Sequence, residues 1–75
     1  MQPYANRGGD SGIQSFELAP NSITVGFKDG SQYLYDHSAT GQNNVERMKQ
    51  LATSGQGLNE FINRQVRTMY AQKLR

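Results

Sequence analysis

Asp36, His37 and Ser38 stand side by side and are the residue types of a hydrolytic triad. A triad requires nucleophile, base and orienting carboxylate to converge in space, which three consecutive side chains do not do, so a turn at a strand end is the expected role. His37 is the only histidine and cysteine is absent, so the chain offers no ligand cluster for zinc and no thiolate nucleophile; an exposed loop is the expected place for this imidazole. The glycine-rich pieces RGGDSG and SGQG do not run into the Gly-Lys-Ser/Thr of a phosphate-binding loop. Asp29 and Asp36 are separated by a hairpin rather than paired for acid–base work. The expectation is a non-enzymatic binding module without metal or cofactor.

Two other groups of residues suit binding. Glu60, Arg64, Arg67, Ala71 and Arg75 recur at steps of three and four, and Arg47 and Lys49 fall on the outward side of an earlier segment, with Lys73 nearby. Arginine forks match phosphate geometry, so Arg64, Arg67, Arg75, Arg47, Lys49 and Lys73 are the candidate nucleic-acid contacts. The ordinary alternative is a solvated helical face with a Glu60–Arg64 pair. Tyr33 and Tyr35, one residue apart, share one face of a strand, where they either complete a core or form a platform for stacked bases.

Those side chains need elements to hold them. Residues 1–11 have scarcely an apolar side chain and read as a disordered tail, whose single Arg7-Gly8-Gly9 is too short to count as an RNA-binding repeat. From residue 12 to 75 one domain follows. Phe16 and Leu18 alternate with polar residues, Pro20-Asn21 makes a turn, and Ile23, Val25 and Phe27 alternate again. Asp29-Gly30 then closes a hairpin into a third strand.

The loop length of that hairpin decides the tyrosines. A two-residue turn pairs Val25 with Leu34 and turns both rings away from Ile23, Val25 and Phe27. A three-residue loop with Gly30 left-handed pairs Val25 with Tyr33 and Ile23 with Tyr35, placing the rings in the core. The second register leaves only Leu34 out of place on the polar side. Cleaner segregation favours it, because a one-residue slip inverts a whole strand face.

The remainder reads as helical. Asn43 with Glu46 resembles a capping box, Val45, Met48, Leu51 and Ala52 form one stripe, and Gly55 or Gly57 ends the helix. Leu58, Phe61, Ile62, Val66, Met69 and Tyr70 keep a 3.6-residue rhythm, so a second helix is predicted from Asn59, its cap, to about residue 73. The fold class is α+β: a three-stranded antiparallel meander followed by two helices on one face.

Bulk composition limits the partners. The pI is about 9.2 but the net charge only +2. Residues 1–42 carry two Lys/Arg against four Asp/Glu, and residues 43–75 carry six against two, so the halves stand at −2 and +4. The second half is the part that attracts anions. Without cysteine, a signal-like start or an apolar run of roughly 18 residues, the expected setting is the cytoplasm, without membrane contact.

The order of Ile13, Phe16 and Leu18, then ITVGFKDGSQYLYD, then MKQLATSGQGLNEFINRQVR resembles the KTSC domain, a small family named for the C-terminus of some lysyl-tRNA synthetases. The likeness covers about residues 11–70. Tyr33 and Tyr35 match its Tyr-x-Tyr, Gly30 its hairpin glycine, Ser54 or Gly55 through Asn59 its Ser-x-Gly-x-x-x-Asn segment, and Ile62 to Arg67 its closing rhythm. HSATGQNN is longer than the link usual in that family. The resemblance implies a largely uncharacterised module suggested to bind RNA. The alternative expectation is an adaptor that meets a protein partner, or a second copy of itself, through the uncovered sheet face with Leu34, Thr24, Gly26 and Gln32.

Overall fold

The hairpin at Asp29-Gly30 sets the register on which the domain is built. In the computed structural model, which describes residues 1–9 and 11–75, strands β3 (Ser22–Phe27) and β4 (Gln32–Asp36) pair with Val25 opposite Tyr33 and Ile23 opposite Tyr35. Phe27 N–H donates to Ser31 O at 2.8 Å and Gly30 N–H to Phe27 O at 3.0 Å, and Gly30 has φ +93°, which only glycine adopts without strain. The three-residue loop therefore holds, and both tyrosines turn towards the aliphatic side. Tyr35 is buried beside Ile23 and Val25; Tyr33, nearer the open end, is half-buried.

The sheet has five antiparallel strands rather than three, in the order of the chain. The predicted first strand is β2 (Ile13–Ala19), joined to β3 by the Pro20-Asn21 turn with Phe16 opposite Val25. A bulge between Ile13 and Ser15 lets Ile13 and Phe16 both face the core, although they stand an odd three positions apart. The two unforeseen strands are short and lie at the edges: β1 (Gln2–Pro3) on β2 and β5 (Gln72–Lys73) on β4.

Residues 1–9 are thus not the free tail predicted; Asp10, also placed in that tail, lies outside the described residues. Tyr4 is buried, and its hydroxyl accepts the N–H of Leu58 at 3.3 Å, inside the core. Arg7 bonds the C-terminal end of the helix Gln42–Ser54, Nε to Ser54 O at 2.9 Å and N–H to Gly55 O at 2.7 Å. Composition failed here because one aromatic ring suffices to anchor a short segment against a surface already built by the rest of the chain.

After β4 a single turn, α1 (His37–Thr40), leads through Gly41 into α2 (Gln42–Ser54). Asp36 caps α1 by accepting Ala39 N–H at 2.7 Å. The expected Asn43–Glu46 capping box is not formed: α2 starts two residues earlier, with Gly41 at its cap, and Glu46 turns to His37 and Lys49 instead. Gly55 ends α2 as expected, with φ +83°. A Cβ there would lie 2.6 Å from Ala5 Cβ, so this glycine also admits the N-terminal segment.

The second helix is shorter than its rhythm implies. It begins at Leu58 after Gly57, not at an Asn59 cap, and runs as α3 (Leu58–Phe61) into a wider π-helical turn, Ile62–Val66. The chain then leaves the helix and returns to the sheet. Ala71 N–H donates to Leu34 O at 2.7 Å and Leu74 N–H to Gln32 O at 2.7 Å, satisfying carbonyls that an open β4 edge would leave bare. One core lies between the helices and one sheet face: Val45, Met48, Ala52, Leu58, Ile62 and Val66 against Ile13, Phe16, Ile23, Val25 and Tyr35.

Candidate nucleic-acid interface

The residues of the apparent triad are held in separate structural tasks. Asp36 caps α1, while His37 Nε2 meets Glu46 Oε2 at 2.9 Å. Glu46 also takes Lys49 Nζ at 3.1 Å, and these two hydrogen bonds, that from His37 first, hold its carboxyl below the ordinary glutamate range. Lys49 Nζ continues to the carbonyls of Ala19 (2.7 Å) and Pro20 (3.0 Å). The chain His37–Glu46–Lys49 is a clamp between α1, α2 and the β2–β3 turn. Among the described residues, no group of three or more His, Cys, Asp or Glu is gathered as metal ligands would be.

The six candidate cations do not form the single stripe that helical spacing implied. Lys49 is half-buried and engaged in the clamp. Arg47 is exposed and leans on Gln50 at 3.2 Å. Arg64 pairs with Glu60 at 3.5 Å with both side chains some 70% exposed, a pair worth only a few tenths of a kcal/mol. Arg67 follows the π-helical turn, and Lys73 and Arg75 have left the helix for the sheet edge. The physical reason is the chain reversal after Val66.

What the reversal assembles instead is an aromatic corner at the open end of the sheet. Phe27 and Tyr33 meet edge to face at 5.8 Å, Tyr70 packs on Tyr33 at 4.8 Å, and Tyr70 also reaches Tyr35 at 6.5 Å. Lys73 Nζ sits 5.7 Å from the centre of the Tyr33 ring, within cation–π range. Beside them a cleft of about 400 Å³ is lined by Gly12, Phe27, Lys28, Asp29, Ser31 and Tyr33. Asp29 at its rim accepts Ser31 Oγ at 2.6 Å and Ser31 N–H at 2.9 Å, which hold its carboxyl below the usual aspartate range. The corner combines ring faces and edges, two lysines and one fixed acceptor.

A second recess of about 210 Å³ lies between the N-terminal segment and the α2–α3 turn, lined by Asn6, Ser11, Gln56, Asn59 and Glu60 among others. It holds a carboxylate and neutral amides but no cation, so it is the poorer place for an anionic polymer. Phe27, Lys28 and Tyr70 were absent from the sequence candidates. Phe27 had a discoverable signal, since its partner Ser31 closes the hairpin and is too small to cover the ring; Tyr70 had none, because its rhythm belongs to a helix.

Burial changes the chemistry of Tyr35. Desolvation, with smaller contributions from Tyr33 and Tyr70, pushes the Tyr35 hydroxyl up to about 12. An unfolded tyrosine ionises near 10, so the folded state keeps its proton longer and stability falls as pH rises from about 10 to 12. The loss is on the order of 2 kcal/mol. Urea midpoints at pH 9 and pH 11 are expected to drop in wild type and to drop less in Tyr35→Phe.

Compared with family models, curated proteins and solved structures, the chain finds no match.

Proposed function

We propose that this domain is a non-enzymatic module that binds unpaired RNA at the aromatic corner. The observation that carries the reading is the Phe27–Tyr33 ring pair at a cleft of about 400 Å³ that Lys28 also lines, with Lys73 over the Tyr33 ring. A base stacks on exposed ring surface, the lysines neutralise flanking phosphates, and the Asp29 carboxylate accepts an exocyclic amino N–H while repelling phosphate from the rim. The +4 balance of residues 43–75 and the resemblance to the KTSC domain support the same ligand class. The contact set differs from that read off helical spacing: Lys73 and Arg75 remain, Lys28 joins them, and Arg64, Arg67 and Arg47 serve as distant attraction.

The test is a titration with a short single-stranded RNA, followed by two-dimensional NMR at low salt. Shifts are expected at Phe27, Lys28, Tyr33 and Lys73, and with about three phosphate contacts log affinity should fall against log salt with a slope near −2. Tyr33→Leu replaces the ring by an aliphatic side chain, and is expected to weaken binding roughly 5- to 150-fold, the value of about 1–3 kcal/mol for one stacked base. Lys28→Glu with Lys73→Glu should abolish binding, whereas Arg64→Glu with Arg67→Glu should weaken it only modestly. Shifts confined to the helical arginines would sink the assignment to the corner.

A second reading, a protein adaptor or small homodimer, draws on the outer sheet face. Leu34 is half-buried there beside Gln72, and Leu74 and Met1 are exposed near the two edges. Light scattering that gives a monomer at high concentration would remove its homodimer form.

A further inference from the structure

The segment that completes the corner carries a local preference opposed to its structure. Between Leu58 and Arg75 there is no glycine or proline, and residues 67–75, RTMYAQKLR, are mostly strong helix formers. Ile62, Val66, Met69 and Tyr70 stand at helical spacing, yet Met69 and Tyr70 are 38% exposed and Leu74 is 42% exposed. Strand β5 is only two residues long and contributes nothing to the main core. The departure follows a π-helical turn, where the backbone has already abandoned α-helical hydrogen bonding. Such a conflict between local and global preference marks an element with two accessible arrangements.

We propose that residues 67–75 are a strand–helix switch whose strand form builds the binding corner and whose helical form dismantles it. In the strand form Tyr70 and Lys73 lie beside Tyr33, and the Arg75 backbone pairs with Gln32. If α3 continued through residue 75, Tyr70 and Lys73 would be drawn away from Tyr33, and the β4 edge would lose Ala71 and Leu74 as donors.

Thr40 is the latch. It is fully buried, and its hydroxyl donates to Met69 O at 2.6 Å, tying the first residues after the π turn to α1. In a continued helix the Met69 carbonyl would instead accept the N–H of Lys73, leaving the Thr40 hydroxyl without its partner. The latch therefore favours the strand form, and an RNA that requires the assembled corner favours it further. That regulatory step rests on the proposed RNA site, whereas the switch itself does not.

The test uses the full chain. Thr40→Val keeps the shape and removes the donor, and is expected to shift the strand–helix equilibrium about tenfold towards helix, the value of one net hydrogen bond. Cα shifts of residues 67–75 should then move towards helical values in free protein, in proportion to the enlarged helical population, with Thr40→Ser as the control that restores the strand. Leu34→Cys with Gln72→Cys joins directly opposed residues, so oxidation should lock the strand form and reduction release it. An oligouridine should bind the locked chain at least as tightly as wild type and Thr40→Val up to about tenfold more weakly. Should Thr40→Val fail to fold, saturation-transfer NMR on wild type must find a minor helical state of residues 67–75. Cα shifts of residues 67–75 that do not move between wild type and Thr40→Val, or no minor helix in wild type, overturn the switch. If no form binds RNA but the shifts turn helical, the switch stands and the proposed site falls.

Discussion

Tyr35→Ala is expected to leave the domain largely unfolded at 25 °C. Truncating a buried aromatic ring typically costs about 3–5 kcal/mol. A single core in a chain this short supplies only about 3–5 kcal/mol in total. Tyr35 is 2% exposed and stands opposite Ile23, so the structure cannot relax around its loss without moving the hairpin. The amide spectrum should collapse to the narrow dispersion of a disordered chain, and the urea transition should lose its folded baseline. A cooperative transition within about 1 kcal/mol of wild type would mean the ring lies outside the core, the outcome of a two-residue turn at Asp29-Gly30.

Removing residues 1–7 should cost about 2–4 kcal/mol, most of it from the Tyr4 ring, whose burial alone is worth roughly 1.5–3 kcal/mol. The Arg7 bonds to Ser54 and Gly55 and the β1 pairing are lost with it. Tyr4→Phe separates ring from hydroxyl: it leaves the Leu58 N–H buried without its acceptor, at a cost of about 1–3 kcal/mol. Both are read as shifts in urea midpoint at constant slope. A deletion that changed nothing would show that the segment behaves as a free tail.

The two segments that escaped sequence reasoning share a cause. The central hairpin was legible because alternation over Ile23–Phe27 and the Asp29-Gly30 turn constrain each other, leaving two registers that differ in how cleanly they segregate. The stripe Val45, Met48 and Ala52 was legible for the same reason, as was the stop at Gly55. Strands β1 and β5 contain two residues each, too few to display a period. Their pairing depends on long-range contacts: Gln72 finds Leu34 across 38 residues, against a local helical rhythm that points elsewhere. Sequence spacing consequently placed Arg64, Arg67 and Arg75 on one face, while the reversal after Val66 sends Lys73 to Tyr33 and Arg75 to Gln32. The charge was read correctly, but its location depends on a turn for which no glycine or proline is present.

Because β1 and β5 are the outermost strands of a strictly sequential sheet, each shields one lateral border. Displacement of either two-residue strand would strip away that guard. The uncovered main-chain groups of β2 or β4 would then template strand addition from neighbouring molecules, so self-association into extended assemblies is the hazard that a displaced border strand introduces.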